Sequence, residues 1–170
     1  PSSGSDLLPS VSPDGDRIAF YSDRTRETRV WIGAADGEGA PTVVEGIVPF
    51  ARHPPRWMDD GKTVLVIGYR PEETVNSTLS GVFAIDVRSG RVRRLEIPRG
   101  LNPIGVSPLP GRRVLMVVDT GEGRLSMRVF DTTGGAWREL AGRDNVGEAR
   151  YDATGDSIWY VRTDQSGLWR

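Results

Sequence analysis

A four-residue turn followed at once by an apolar run recurs along this chain, and no other feature limits its folding so strongly. The first copy is Ser12-Pro13-Asp14-Gly15 ahead of Ile18-Ala19-Phe20-Tyr21. Alignment on the turn glycine gives Gly15, Gly61, Gly111 and Gly155, spaced roughly 44 to 50 residues apart. Three residues after each glycine stands a β-branched side chain (Ile18, Val64, Val114, Ile158), and five after it a large one (Phe20, Val66, Met116, Tyr160). Proline at the second and glycine at the fourth turn position suit a type I turn. The runs that follow are apolar on successive positions, as in Val64-Leu65-Val66-Ile67 and Val114-Leu115-Met116-Val117-Val118. A strand with one wet face alternates, so these strands need cover on both faces.

Four-stranded sheets stacked radially provide that cover, and the period is that of a propeller blade. The fold expected is all-β: a partial β-propeller of about three and a half four-stranded antiparallel blades. It forms a single segment over residues 1–170, with blades at about 7–46, 47–98, 99–142 and an incomplete one at 143–170. Residues 1–6 read as a tail. The fourth strands carry charge, as in Arg91-Val92-Arg93-Arg94 and Trp137-Arg138-Glu139, which discourages pairing at an outer edge. Trp159, four residues after its glycine in register with Ala19, Leu65 and Leu115, is expected in an inter-blade core. A closed ring takes about four to eight blades. Further blades of the same protein, or a second copy, are therefore expected as partners, and without them Ile18, Phe20 and Tyr21 are exposed on one side.

Composition narrows the function. The formal net charge of −1 gives no basic field of the kind that neutralises phosphates, so direct nucleic-acid binding is not expected. No apolar run reaches the ~18 residues of a membrane span, so no membrane insertion by this segment is expected. The absence of cysteine removes disulfides, thiolate catalysis and cysteine zinc sites.

The pattern Ser-Pro-Asp-Gly, two residues, Ile-Ala-Phe, with Ser22-Asp23-Arg24 and Val30-Trp31-Ile32 after it, resembles the TolB-like propeller repeat. The resemblance fades through Met58-Asp59-Asp60-Gly61, Ser107-Pro108-Leu109-Pro110-Gly111 and Asp152-Ala153-Thr154-Gly155. The segments Asp86-Val87-Arg88-Ser89-Gly90, Val129-Phe130-Asp131 and Trp137-Arg138-Glu139-Leu140 are also similar to the C-terminal propeller of CadC-type membrane-anchored winged-helix bacterial regulators. That resemblance implies a non-catalytic sensor or protein-interaction module on the periplasmic side of the inner membrane, with the cytoplasm as the other compartment. Two alternatives are the gating propeller of a prolyl-oligopeptidase-type serine peptidase and a TolB-like periplasmic scaffold. The identity of a protein or small-molecule ligand stays open.

Candidate chemistry is sparse. His53 is the only histidine, so any Ser-His-Asp relay or histidine metal site must use it. Gly105-Val106-Ser107-Pro108 begins like a nucleophile elbow but has Leu109 where glycine belongs. Gly61-Lys62-Thr63 imitates the end of a phosphate-binding loop, yet Arg56 stands where the first glycine is needed. Gly121-Glu122-Gly123 lacks a third glycine, and Asp14 and Asp16 lack calcium-loop spacing. The arginines at 88, 91, 93, 94 and 99 form the one basic cluster, which suits a grip on an acidic partner or lipid head groups and reads more simply as an outer-strand solubility device. No catalytic residue, metal ligand or cofactor is expected. A ligand is expected on the loop entering the second blade, at Arg52, His53 and Arg56, with Trp57 beside the central channel.

Overall fold

The computed structural model describes residues 4–73, 80–121, 124–133, 136–152, 154, 156–163 and 168–169. Its regular elements are β-strands, and among the described residues no helix is long and apolar enough to cross a membrane. The first sheet holds β1 (Asp6–Val11), β2 (Arg17–Ser22), β3 (Arg29–Ala34) and β4 (Thr42–Val44), in that order. The second holds β5 (Val48–Pro49), β6 (Arg56–Trp57), β7 (Thr63–Tyr69), β8 (Gly81–Asp86) and β9 (Val92–Arg94), ordered β5-β7-β8-β9 with β6 also on β7. The third is β10 (Asn102–Leu109), β11 (Arg113–Asp119), β12 (Leu125–Asp131) and β13 (Trp137–Asp144). The fourth is β14 (Val146–Asp152), β15 (Ser157–Arg162) and β16 (Leu168–Trp169). This is a partial β-propeller of sequential antiparallel sheets.

The turns that define the repeat behave alike where they are described. The Gly15 N–H donates to Ser12 O at 2.9 Å and the Gly61 N–H to Met58 O at 3.1 Å, closing turns of the same length. Gly15, Gly61 and Gly111 have φ of 82°, 60° and 71°, where a Cβ would collide with the following carbonyl. Gly155 and the Glu122-Gly123 pair lie outside the described residues.

The chain divides into two compact units, Pro1–Thr78 with Val82–Arg94, and Leu79–Gly81 with Leu95–Arg170. In the first, Ala19 and Tyr21 of β2 and Val30 of β3 share a core with Val64 and Val66 of β7 and Phe83 and Ile85 of β8. One sheet thus presents the residues four and six after its turn glycine, and the next presents those three and five after. The second unit repeats the rule, with Leu115 and Val117 of β11 and Met127 and Val129 of β12 in one cluster with Ala149 and Tyr160. Ile158 packs against that cluster.

This parity corrects the expectation for Trp159. Because β15 gives Ile158 and Tyr160 to the core, Trp159 and Val161 point the other way; Trp159 is half-buried and Val161 42% exposed. A second correction concerns the first sheet, whose Phe20 and Tyr21 are only 8% and 1% exposed. Tyr21 faces the core, and Phe20 is covered by Arg24, whose guanidinium lies 5.3 Å from the Phe20 ring and 4.7 Å from that of Trp31. Asp6 holds the guanidinium in place by accepting two hydrogen bonds, at 2.7 and 2.8 Å. The Arg24 hydrogen bond in turn lowers the Asp6 pKa. An arginine stacked on aromatic rings shields them while keeping its charge wet.

Two outcomes follow from this packing. Phe83→Ala empties a fully buried site and is expected to cost about 3 to 5 kcal/mol, whereas Trp159→Ala, at a half-wet position, costs less than half as much; urea melts of the two variants measure the difference. Burial raises the Tyr21 pKa above its ordinary 10.0, only partly opposed by the charge of Arg56. A raised folded-state pKa stabilises below the unfolded value and is lost above it, so stability falls as pH climbs past about 10. Tyr21→Phe is expected to flatten that alkaline decline in melts across pH, and an unchanged slope refutes the assignment.

Candidate functional site

The first strand of each blade carries a bulge at a similar level. In β1 the register slips between Leu7, opposite Tyr21, and Ser10, opposite Ala19. In β10 it slips between Pro103 and Gly105, and in β14 between Val146 and Glu148. Bulges bend a strand and re-aim its side chains. The second blade enlarges this feature into a loop. Val48 and Pro49 of β5 pair with Tyr69 and Gly68, pairing resumes with Arg56 opposite Leu65, and the stretch 51–55 intervenes.

The loop has a defined stem. The Phe50 N–H donates to Ile67 O at 2.9 Å, and the Arg52 N–H donates back to Phe50 O at 2.7 Å, turning the chain out of the strand. Three prolines, Pro49, Pro54 and Pro55, flank and end it, and proline cannot donate to a ladder. Gly68 sits where the stem crosses β7. A Cβ there would lie 2.3 Å from Val48 O and 3.1 Å from Pro49 Cα, both backbone atoms. The Phe50 ring, 40% exposed, leans on Tyr69 with centroids 5.5 Å apart.

Of the four candidate residues, Arg52 is exposed and His53 half-buried, both on this loop, and Arg56 is half-buried on β6. Trp57 departs from expectation. It is 7% exposed, belongs to the core of the first unit, and its indole Nε1–H donates to Ser10 O of β1 at 2.8 Å. The two-residue strand β6 turns the indole into the packing between the first two sheets, where Trp57 braces the loop's base. Phe50 is the residue that sequence reading passed over. Its signal was the proline cluster, which rules out one continuous first strand.

The motifs weighed for catalysis take structural roles. Ser107 lies within the extended strand β10, 4% exposed, and its Oγ accepts the Tyr151 N–H at 3.2 Å. Asp60 accepts hydrogen bonds from the Lys62 and Thr63 N–H groups and from the Thr63 hydroxyl, and strand β7 follows where a phosphate loop needs a helix. Among the described residues, no group of three or more His, Cys, Asp or Glu side chains could hold a metal. The loop offers an aromatic face, a guanidinium on an exposed residue and an imidazole, a set suited to binding.

Gly68→Ala is expected to cost about 1 to 3 kcal/mol through overpacking. Gly105→Ala, whose Cβ would meet Val117 at an ordinary 3.5 Å, is expected to cost under about 1 kcal/mol. Equal losses in denaturant melts would show that the crossing at Gly68 does not constrain the loop.

No protein-family model matches the chain, and no curated protein sequence does. Solved structures do. TolB from Acinetobacter baumannii is 18% identical over 97% of this chain and 40% of its own length, with a TM-score of 0.69. A puromycin-hydrolyzing peptidase of Mycobacterium tuberculosis is 17% identical over 97% of this chain and 28% of its own, with a TM-score of 0.65. The β-propeller domain of the trilobed protease from Pyrococcus furiosus is 12% identical over 97% and 67%, with a TM-score of 0.51. The chain spans less than half the length of the first two. At such identities the likeness is one of fold, and by that measure the chain is a stretch of β-propeller similar to those of TolB and of peptidase propeller domains.

Proposed function

We propose that this chain is a non-catalytic binding module of a larger bacterial protein, docking a protein partner on the Phe50–Pro55 loop. The observation that carries the reading is the loop itself. An insertion in the first strand of one blade, stemmed by backbone hydrogen bonds and a glycine crossing, presents Phe50 and Arg52 from an anchored base. Aromatic and arginine side chains held on fixed supports dominate binding energies at protein interfaces. The similarity to TolB supports a periplasmic scaffold or sensor role, and the regulator-type motifs support a place in signal transduction. Trp159 and Val161 form a face on which a further blade of the same propeller stacks.

The second reading, a gating propeller of a serine peptidase, draws on the likeness to the puromycin-hydrolyzing peptidase. The two part at the loop. A photo-cross-linking amino acid at position 52 of the full-length protein is expected to yield an adduct with a separate polypeptide, and one at exposed position 138 is not. An adduct within the same polypeptide supports the gating reading. Equal yields from 52 and 138, or none from 52, overturn docking on the loop.

A further inference from the structure

At the start of β7, where the turn of the second blade precedes the strand, the first unit carries an open cleft of about 780 Å³. The Phe50 loop leaves β7 opposite Ile67 and returns opposite Leu65, and none of its residues lines this cleft. Three cations converge on it: Arg17 from the start of β2, Lys62 from the turn before β7, and Arg88 from the turn after β8. Lys62 is the only lysine in the chain. Among the described residues, none of the three side chains has an ion-pair partner within 4.0 Å or a hydrogen-bond acceptor.

Two carboxylates also line the cleft, Asp16 and Asp86. Asp86 is engaged within its own turn, accepting from the Arg88 and Ser89 N–H groups and the Ser89 hydroxyl, and these bonds lower its pKa. A third carboxylate, Asp14, lies against Gly61 and near Arg17, and it is likewise engaged in its own turn by the Ser12 hydroxyl and the Asp16 N–H, so cations and carboxylates match in number while the cationic donors keep no hydrogen-bond acceptor among the described residues. The floor is apolar, made by Ile32, Ala34 and Val87, and Ile32 and Val87 rest on the core.

The backbone of the walls is already paired. The Ala35 N–H donates to Asp16 O and the Val87 N–H to Lys62 O, each at 2.9 Å. A phosphate site is commonly a nest of unpaired N–H groups, and here recognition falls to side chains over an aliphatic floor. That combination fits carboxylates with small apolar groups between them.

We propose that this cleft is a second binding site, which takes an acidic peptide segment of a partner protein. Carboxylates of the peptide pair with Arg17, Lys62 and Arg88, and its small apolar side chains lie on Ile32, Ala34 and Val87. The site is independent of the loop, so its failure and that of loop docking are distinguishable: loop variants leave it intact.

The probe is a short fluorescent peptide of alternating glutamate and alanine, read by anisotropy against the folded chain. Arg17→Gln, Lys62→Gln and Arg88→Gln are each expected to weaken binding about threefold, in line with partly exposed charge pairs, and the triple variant on the order of thirtyfold. Arg138→Gln removes the same charge from β13 and Phe50→Ala alters the loop; both are expected to bind as the parent does, and circular dichroism verifies that all fold. A peptide of alternating glutamate and glycine is expected to bind more weakly, because the floor then has nothing to cover it. The proposal fails if the parent does not bind the probe, if the triple variant binds like the parent, if Arg138→Gln weakens binding equally, or if inorganic phosphate displaces the peptide at equal concentration.

Discussion

Burial on both faces of the second strand in the two middle blades organises the packing of this structure. Leu65 and Val66 are adjacent in β7, point to opposite sides, and are 0% and 1% exposed. The same holds for Leu115 and Met116 in β11, at 1% and 0%. A strand in that position cannot sit in a sheet with one wet face; it must lie mid-sheet with cover on either side. Once it does, the flanking strands are set as an inner and an outer partner, and each sheet becomes a wedge that hands alternate residues to its neighbours. The residues four and six beyond the turn glycine on one sheet then meet those three and five beyond it on the next.

Sheets built this way differ in how their outward faces are finished. The first sheet closes its own with a cation: Asp6 positions Arg24, and Arg24 covers Phe20 and Trp31. The fourth leaves Trp159 half-wet and Val161 exposed, so the two ends of the same repeat present different chemistry to whatever adjoins them. On the inner side the repeat also diverges. A bulge common to all the blades is small in three and grows into the Phe50–Pro55 loop in the second, where stem bonds and Gly68 anchor it. Function on a repeat scaffold gathers where one copy departs from the others, because the shared positions are occupied with packing.

The loop and the cleft both use the second blade, and they use different physics. The loop projects an aromatic and a guanidinium from an anchored stem. The cleft is recessed, its three cations keep no hydrogen-bond acceptor among the described residues, and its backbone is already satisfied. A partner with an apolar contact and an acidic segment could engage both, with the linkage raising the effective concentration at the second site once the first is filled.

The repeat, its period and its strand type were legible from residue spacing alone, because turn glycines with positive φ and doubly buried strands demand particular residues at fixed offsets. The sequence also placed Arg52 and His53 on a loop of the second blade, since the prolines around them exclude regular pairing. Packing settled the facts that depend on which face a side chain takes. Trp57 and Trp159 both stand on strands four residues from a turn glycine, yet Trp57 is buried with its indole bonded to Ser10, and Trp159 is half-exposed. Arg24 lies in a polar loop by composition, and its role as the cover of two aromatic rings exists only once β1 brings Asp6 beside it. The convergence of Arg17, Lys62 and Arg88 spans much of the first two blades in sequence. Their meeting is fixed by the packing of one sheet on the next, which no local pattern encodes.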